Sequence, residues 1–376
     1  MKKIIFVTGT RADYGKTKSL VISLQKNKKF KIFVFVTGMH NLKKFGSTWD
    51  ALKKDKIKNM YKFKNQKIAD RMDIILSKTI VGFSNYANKI NPDLIIIHGD
   101  RVETLACATV GSLNNFRTAH IEGGEVSGTV DEILRHSISK LCHIHFVSNS
   151  KAKTRLIQMG ELKENIYIIG SPDVDILLSK TLPSLQSVKK KYQIRYDKYA
   201  ISIFHPVTTE LNKISENCKV FLNSIKESEM NYILIYPNND AGSDIIFKEY
   251  KKLKNKNIKI LPSMRFEYYL TLLKNCYFII GNTSSGIIEA PYYGVPTINL
   301  GMRQNKRAYL ESIINCNFSK KTIAKKIFKF SKRKIRFKKS KHFGKGNSFK
   351  NFINILSKKK IWETNIQKYF KDLKIN

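Results

Sequence analysis

The stretch that decides the fold is Ile4-Ile5-Phe6-Val7-Thr8-Gly9-Thr10-Arg11-Ala12-Asp13-Tyr14-Gly15. It consists of an apolar run, a turn of small residues and the start of a helical pattern. The apolar run predicts a buried β-strand, and the amphipathic residues 15–27 predict a helix after it. The turn between them offers backbone N–H groups at a helix N-terminus, which favours phosphate binding. It has neither the dinucleotide fingerprint nor a Walker-type loop, so a plain strand-to-helix turn is an equally good interpretation.

The alternation of strand and helix continues along the first half of the chain. Strands are predicted at Ile4–Val7, Lys31–Val36, Leu94–Ile97, Thr118–Ile121, Ile144–Val147 and Ile166–Ile169. Helices are predicted near residues 15–27, 70–90, 101–114, 131–141 and 150–159. Such alternation predicts a parallel sheet that is covered by helices on both faces.

A polar stretch, Ser184–Lys198, interrupts the alternation after Pro183 and predicts a linker with a short helix. Further strands are then predicted at Tyr199–Phe204, Tyr232–Tyr236, Ile258–Leu261, Tyr277–Ile280 and Val295–Leu300. We therefore predict an α/β protein with two doubly wound domains, residues 1–182 and 183–376. Two such domains are expected to enclose a cleft at the carboxyl ends of their strands, where open α/β sheets bind ligands.

The composition is that of a globular protein. Of 376 residues, 42% are hydrophobic and 26% are charged, which excludes wholesale disorder and collagen-like repeats. No apolar run reaches the roughly 18 residues of a transmembrane helix, and Thr8 ends the first run too early for a signal peptide. We therefore expect a cytoplasmic protein with no membrane partner. The five cysteines form no CxxC pair, so we expect buried thiols and neither a zinc site nor a disulfide framework.

The formal net charge is +40, from 69 basic and 29 acidic residues. Only 12 of the basic residues are arginine, and the excess lysine is spread along the whole chain. Proteins that read nucleic acids typically use arginine forks and interleaved aromatic side chains, so we expect no nucleic-acid partner. A basic surface still favours anionic substrates through electrostatic steering.

The most basic part of the chain is Ser319–Lys360, which has 17 Lys or Arg and no acidic residue. Its apolar residues keep a partly helical spacing: Ile323, Ile327, Phe328, Phe330, Ile335 and Phe337. We interpret the stretch as a solvated helical face followed by a loose basic loop. A surface that docks an anion is the alternative.

Acidic residues follow successive predicted strands of the first half. They occur in His98-Gly99-Asp100-Arg101, in the run from His120 through Glu122 to Glu125, and in the helix start Thr129–His136. Each acid alone can be explained as a helix cap or as a partner of the helix dipole. Three groups on one rim of one sheet, each beside an Arg or His, favour acid/base chemistry on a neutral, sugar-like ring.

The second half supplies features that suit an anion. Phe204-His205-Pro206 ends its first strand, and Gly281-Asn282-Thr283-Ser284-Ser285-Gly286 follows a later strand at a predicted helix start. Hydroxyl and N–H groups at a helix start can cradle a diphosphate. Arg303 and Arg307 follow the next strand. For His205, a satisfied strand-end histidine is an equally good interpretation.

Taken together, these motifs resemble the UDP-N-acetylglucosamine 2-epimerase family, and most of all its hydrolysing branch. The motifs are Gly9–Asp13, Thr37-Gly38-Met39-His40, His98–Arg101, the run from His120 through Glu125 to Arg135-His136, Phe204–Thr208 and Gly281–Gly286. The resemblance extends from residue 1 to about 310 and resumes around Trp362. The family's usual Gly-Asn-Ser-Ser is here Gly281-Asn282-Thr283-Ser284.

The resemblance implies two Rossmann-like domains in the arrangement of the B-type glycosyltransferases (GT-B-like), with a UDP-sugar in the cleft. It implies no metal and no cofactor. The implied reaction converts UDP-N-acetylglucosamine and water to N-acetylmannosamine and UDP through 2-acetamidoglucal, for sialic acid biosynthesis. We also expect a homodimer or homotetramer.

The same resemblance assigns roles to residues. Asp100 and Asp131 are predicted to transfer protons at C2, and Glu122 to orient the sugar or water. Arg135 and His136 are predicted to pair with these carboxylates and set their pKa values. The predicted substrate-binding residues are Arg11, Lys16, Arg101, Glu125, His205, Asn239, Arg265, Asn282, Ser284, Ser285, Gly286, Glu289, Arg303 and Arg307.

Four alternatives stay open at this stage. A similar branch hydrolyses a nucleotide-linked diacetylbacillosamine for legionaminic acid synthesis, and its sugar differs only at C4 and C6. The non-hydrolysing epimerases are disfavoured by the run from His120 to Glu125, which resembles the hydrolysing form. A glycosyltransferase would not need three acids near C2, and a nucleic-acid-binding protein would bind DNA or RNA in a salt-sensitive way.

Overall fold

The computed structural model describes residues 1–43, 48–68 and 70–373, and in it the chain forms two compact units. The first unit contains Met1–Glu125, Asp131–Leu178 and His342–Asn376, and the second contains Val126–Val130 and Ser179–Lys341. Each unit is built on its own parallel sheet. The prediction of two doubly wound α/β domains is therefore confirmed.

The first unit has seven parallel strands: β1 (Lys2–Thr8), β2 (Phe30–Val36), β3 (Met60–Lys62), β4 (Leu94–His98), β5 (Thr118–Ile121), β6 (Ile144–Val147) and β7 (Ile166–Ile168). The helices of this unit that precede the second unit in sequence are α1 (Arg11–Gln25), α2 (Asp50–Lys54), α3 (Met72–Ile90), α4 (Val102–Leu113), α5 (Val130–Leu141), α6 (Ser150–Gln158) and α7 (Pro172–Leu177). The strand order is β3-β2-β1-β4-β5-β6-β7. The order reverses between β1 and β4, and the loops after these two strands flank the crevice in which such sheets bind ligands.

Burial on both faces of the sheet explains why the sequence of strand β1 is apolar without alternation. Ile4 and Phe6 pack into the core on one face of the sheet, and Ile5 and Val7 pack into the core on the other. A parallel strand that is covered on both faces needs apolar side chains at every position. The register places Ile5 opposite Phe33 of β2 and Ile95 of β4.

The second unit has six parallel strands: β8 (Ala200–Ile203), β9 (Tyr232–Ile235), β10 (Ile258–Leu261), β11 (Ile279–Gly281), β12 (Thr297–Leu300) and β13 (Ile313–Cys316). Its helices are α8 (Leu185–Tyr192), α9 (Ile214–Lys226), α10 (Ser243–Lys251), α11 (Phe266–Asn275) and α12 (Lys320–Lys332). The strand order is β10-β9-β8-β11-β12-β13. Here the order reverses between β8 and β11, so the loops after these strands flank the corresponding crevice.

The end of the chain does not follow the predicted domain boundary. Helices α13 (Ser348–Leu356) and α14 (Lys359–Trp362) belong to the first unit, although residues 183–376 are predicted as the second domain. The reason is apolar burial: Phe352 and Leu356 enter the core of the first unit, and the Phe352 ring lies 4.7 Å from that of Phe146. The Asp175 carboxylate accepts hydrogen bonds from two backbone N–H groups at the start of α13.

The basic stretch 319–360 is correspondingly divided between the two units. Helix α12 presents a lysine-rich outer face, as predicted, while Ile323, Ile327 and Phe330 are buried in the core of the second unit. The predicted loose loop is wrong for its last part, which contains α13. All five cysteines are buried and free, as expected. Within the described residues, no helix combines the length and apolarity that crossing a membrane requires.

A carboxylate near the edge of the first unit anchors the last described segment of the chain. Glu161 accepts from His145 Nε2 at 2.9 Å, from Lys140 Nζ at 2.9 Å and from Lys368 Nζ at 2.7 Å. Burial raises the pKa of Glu161, but His145 and the lysines lower it to about 2. Lys368 also donates to the carbonyl of Cys142, so it ties the segment to the sheet.

Gly281, at the end of β11, is a position where only glycine fits. Its φ is +138°, and a Cβ there would lie 1.8 Å from the carbonyl oxygen of Ile203 in β8. Gly281→Ala should therefore destabilise the protein by about 1–2 kcal/mol from backbone strain and by about 1–3 kcal/mol from the clash. Gly99→Ala is the matched control, because its φ is +78° but nothing lies within 4 Å of the added carbon. Thermal unfolding of both variants checks this, and an equal loss in the two would contradict it.

Candidate active site

The turn after β1 is closed by two side chains at the start of α1. Thr10 Oγ1 accepts from the backbone N–H of Asp13 at 3.0 Å, and Asp13 Oδ2 accepts from the backbone N–H of Gly9 at 2.9 Å. Arg11 is the first residue of α1 and is half-buried. The turn is thus held in one conformation at the switch point of the first sheet.

His98, the last residue of β4, lies between two carboxylates. Its Nδ1 is 3.1 Å from Asp13 Oδ1, and its Nε2 is 3.6 Å from Glu122 Oε2. Burial lowers the pKa of His98, but the charges of Glu122 and Asp13 outweigh it and raise the pKa to about 10. His98 is therefore an imidazolium at neutral pH, in contact with one of the three predicted catalytic acids.

Glu122 is buried, and its backbone lies in the left-handed region with φ +69°. This conformation is costly for a residue with a side chain, and its presence after β5 marks a position that the surrounding structure enforces. Lys16 Nζ lies 3.9 Å from Glu122 Oε1 and 3.4 Å from Asp173 Oδ2. Ser171 Oγ donates to Glu122 Oε1 at 3.3 Å. Lys16, predicted to bind substrate, is thus a partner of two buried acids.

Asp100 follows Gly99 in the loop after β4 and pairs with Arg135 of α5. The Arg135 side chain is fully buried, while that of Asp100 keeps 26% of its surface exposed. Arg135 also donates to the carbonyl of Glu125 at 3.2 Å. The predicted pairing of Arg135 with a candidate carboxylate is therefore observed, and its catalytic role stays a prediction.

Asp131 lies in the first turn of α5 and is half-buried. The helix dipole favours a charged carboxylate at this end of a helix. His136 lies one turn later, and its Nε2 is 3.4 Å from Glu132 Oε1. The carboxylate near His136 is therefore Glu132, which is not one of the predicted catalytic acids.

Two other predicted substrate-binding residues of the first unit have protein partners. Arg101 Nε is 3.3 Å from Oε2 of Glu103, a buried carboxylate. Glu125 is buried and accepts a hydrogen bond from the hydroxyl of Ser148. These contacts position the loops after β4 and β5, and the substrate contacts of both residues stay predictions.

In the second unit, the loops after β8 and β11 are joined by two reciprocal hydrogen bonds. The backbone N–H of His205 donates to Asn282 Oδ1 at 2.7 Å, and Asn282 Nδ2 donates to the carbonyl of His205 at 2.8 Å. The His205 Nδ1 accepts from the backbone N–H of Asn238 at 3.1 Å, which places the ring proton of the neutral form on Nε2. His205 is therefore fixed in orientation at the switch point of the second sheet.

The segment after Asn282 forms two short 3₁₀ turns, Ser284–Gly286 and Ala290–Tyr293, where a regular helix start is predicted. The two serines differ. The Ser285 hydroxyl bonds to the Tyr269 hydroxyl, and its backbone N–H donates to the Thr283 side chain at 3.3 Å. Ser284 is half-buried, so it is the more accessible of the two.

Of the remaining predicted residues of the second unit, Arg303 contacts the loop after β11. Arg303 is buried and donates to the carbonyl of Asn282 at 3.3 Å. Arg307 is buried and donates to Gln304 at 3.4 Å. Asn239 and Glu289 are also buried. The guanidinium of Arg265, at the start of α11, lies 5.7 Å from the ring centre of Tyr268.

Four side chains with no predicted role lie at or near Glu122: His98 and Ser171 contact Glu122 itself, Asp13 contacts His98, and Asp173 contacts Lys16. Asp13 and His98 occur in quoted motifs, but their contact joins residues that are far apart in sequence. Asp173 and Ser171 lie at the start of α7, and nothing in the local sequence distinguishes them from helix-capping residues. His98 and Asp13 lie at or just after the ends of strands of one parallel sheet, and this shared position is the signal that could have grouped them.

Comparison with known proteins agrees with this geometry. Residues 22–357 match the family model described as UDP-N-acetylglucosamine 2-epimerase. The UDP-N-acetylglucosamine 2-epimerase of Neisseria meningitidis serogroup B is 43% identical to this chain, with all of both chains covered. The UDP-N,N'-diacetylbacillosamine 2-epimerase (hydrolyzing) of Legionella pneumophila is 32% identical over 84% of this chain and 85% of its own.

A solved structure supports the fold. The Methanocaldococcus jannaschii UDP-GlcNAc 2-epimerase, in complex with UDP-GlcNAc and UDP, superposes with a TM-score of 0.78 at 21% identity, covering 94% of this chain and 99% of that one. The two sheets and their switch points thus define a protein of the two-domain, Rossmann-like, GT-B-like class. The chain belongs to the UDP-N-acetylglucosamine 2-epimerase family.

Proposed function

We propose that the protein is a hydrolysing UDP-N-acetylglucosamine 2-epimerase, which converts UDP-N-acetylglucosamine and water to N-acetylmannosamine and UDP. The observation that carries the proposal is a set of three acids, Asp100, Glu122 and Asp131, after β4, after β5 and at the start of α5. Two of them have a buried cationic partner, Arg135 for Asp100 and His98 for Glu122. In the proposed role, N-acetylmannosamine is the starting sugar of sialic acid biosynthesis.

The chemistry explains why three acids are needed. The C2 proton of N-acetylglucosamine is barely acidic, because no carbonyl lies beside it on the ring. As UDP leaves C1, positive charge develops there and the C2 proton becomes removable. Elimination gives 2-acetamidoglucal, after which water adds to C1 and a proton returns to the other face of C2. A base, an acid and a group that orients water are therefore required.

Asp100 and Asp131 are proposed for the two proton transfers, and Glu122 for orienting the sugar or the water. Asp100 keeps part of its surface exposed, although its partner Arg135 is fully buried. That geometry suits a carboxylate that is held in place by an ion pair and still has surface accessible to a ligand. The paired charge of Arg135 favours the ionised form of Asp100, which is the form of a general base.

The second unit is proposed to bind the nucleotide diphosphate. His205 carries its proton on Nε2, Ser284 offers a hydroxyl, and Arg303 supplies positive charge near the same loops. Preorganised donors of this kind stabilise the charge that develops on a leaving diphosphate.

This assignment predicts a division of labour in UDP binding. A hydrogen bond to a charged oxygen is worth about 1.5–3 kcal/mol, so His205→Ala and Ser284→Ala should each weaken UDP binding by roughly ten- to a hundredfold. Asp100→Asn should leave the affinity for UDP almost unchanged, because UDP carries no hexose. Calorimetric titration of UDP into the three variants tests this. An equal loss in all three would mean that Asp100 contacts the diphosphate.

The experiment that tests the proposed function is the identification of the sugar released from each nucleotide sugar. UDP-N-acetylglucosamine should yield free N-acetylmannosamine and UDP in equal amounts. Release of the 2-epimer from UDP- or GDP-N,N'-diacetylbacillosamine instead would favour the second candidate, which the Legionella relative supports. Formation of UDP-N-acetylmannosamine with the nucleotide still attached would contradict the hydrolysing mode.

A further inference from the structure

Three side chains from three different elements, the half-buried Asp13 and the buried His98 and Glu122, form a row of alternating charge that ends on Glu122. Asp13 lies on α1, His98 ends β4 and Glu122 follows β5. The closest atoms are 3.1 Å apart between Asp13 and His98, and 3.6 Å apart between His98 and Glu122. Each ring nitrogen faces a carboxylate, and the doubly protonated imidazolium matches this arrangement because both of its nitrogens carry protons.

The far end of this row is fixed to the backbone. Asp13 Oδ2 accepts from the Gly9 N–H at 2.9 Å, while Oδ1 faces His98. Burial raises the pKa of Asp13, but the hydrogen bonds and charge of His98 and the Gly9 N–H outweigh it and hold the pKa below its usual value. Asp13 is therefore a fixed negative charge behind the imidazolium.

We propose that Asp13 and His98 are positioning residues that hold the Glu122 carboxylate ionised and in one orientation during the reaction, an inference that rests on the proposed function. An ionised Glu122 can accept a hydrogen bond from the sugar or from water, or stabilise the positive charge at C1. It cannot donate the proton that returns to C2. That step is therefore assigned to Asp100 or Asp131.

Other charged and polar groups near Asp13, His98 and Glu122 limit how large the effect of removing the His98 charge can be. Lys16 of α1 approaches Glu122 to 3.9 Å and bridges to Asp173 of α7, and Ser171 donates to Glu122. Removal of His98 leaves Lys16 as the cation nearest Glu122 among these contacts. Further groups interact electrostatically with these residues: His120 with His98, and His40 with Asp13. His40 in turn interacts with Arg11.

The test is the pH dependence of kcat in His98→Gln. Glutamine keeps a hydrogen-bonding amide but loses the charge. An opposite charge within about 4–6 Å lowers the pKa of a carboxylate by about 1–3 units, so the acidic limb of the profile should move up by about one pH unit. At the optimum kcat should fall by roughly 10–100-fold, less than the 10²–10⁴ typical for loss of a general acid or base itself, while KM changes less. Asp13→Asn should move the limb in the same direction by a smaller amount.

His145→Gln is the matched control, because it breaks an equally buried histidine–carboxylate pair with Glu161, 2.9 Å apart, in the same unit. It should lower thermal stability and leave the pH profile in place. An unmoved limb in His98→Gln, or an equal displacement in His145→Gln, would overturn the proposal. A wild-type enzyme that turns over no nucleotide sugar would instead overturn the proposed function.

A second measurement covers the case in which His98→Gln does not fold. In wild-type protein with ¹⁵N-labelled histidine, the two ring nitrogens of His98 should both be protonated at pH 8, and Asp13→Asn should lower the pH at which that signal titrates. A neutral imidazole for His98 at pH 8 would overturn the proposal.

Discussion

Asp131→Asn is expected to lower kcat by about 10²–10⁴, the range for loss of a general acid or base. Asp131 lies in the first turn of α5 and is half-buried, so the folded state should be retained. Steady-state hydrolysis of UDP-N-acetylglucosamine, with thermal unfolding measured in parallel, checks both statements. Asp73→Asn is the matched control, because it removes an exposed acid from the first turn of α3 in the same unit. Near-full activity of Asp131→Asn would remove Asp131 from the mechanism.

Asp100→Asn should lose activity by a similar factor, but its effect on stability should differ. Its partner Arg135 is fully buried and would keep only a neutral contact there. A hydrogen bond to a charged group is worth about 1.5–3 kcal/mol, and this is the expected loss in the free energy of unfolding. A loss of activity without a loss of stability would show that the pair with Arg135 contributes little to folding.

In D₂O, the N-acetylmannosamine released should carry one deuterium at C2. Elimination removes the original proton, and the proton that returns comes from an enzyme group that exchanges with solvent. Mass spectrometry and proton NMR of the product measure this directly, with N-acetylmannosamine incubated with enzyme in D₂O as the control for exchange after release. Transfer of the original hydrogen by a hydride mechanism would give product without deuterium at C2, which would falsify the elimination route.

The central strands are predictable because a strand that is buried on both faces leaves a continuous apolar run. Thr118–Ile121 and Ile144–Val147 have the predicted bounds for this reason. The edge strands β3 and β13 are not predicted. Met60–Lys62 is short and largely exposed, and Ile313–Cys316 is exposed along part of one side, so neither presents a run that differs from a loop.

The return of the chain to the first unit is also not predictable from local patterns. Phe352 and Leu356 sit in a lysine-rich segment whose composition indicates a surface, and only their packing against the first core reveals its destination. The family resemblance predicts that Arg135 pairs with the candidate acids, and the structure shows Asp100 as its partner. The sequence does not assign the row from Asp13 through His98 to Glu122, because that contact depends on the backbone conformation of Glu122.

The last segment of the chain, His342–Asn376, belongs to the first unit, and this has a consequence for the order in which the protein folds as it is synthesised. Ser179–Lys341 makes up nearly all of the second unit and can form its sheet as soon as it emerges from the ribosome. The first unit is completed only later, because Lys368 must be translated before it can pair with Glu161. At about 5–20 residues per second, the 190 residues from Leu178 to Lys368 (368 − 178) take roughly 10–40 s. During that time Phe146 has not yet packed against Phe352, and Glu161 has not yet paired with Lys368. The first unit is therefore accessible to chaperones for longest in this period.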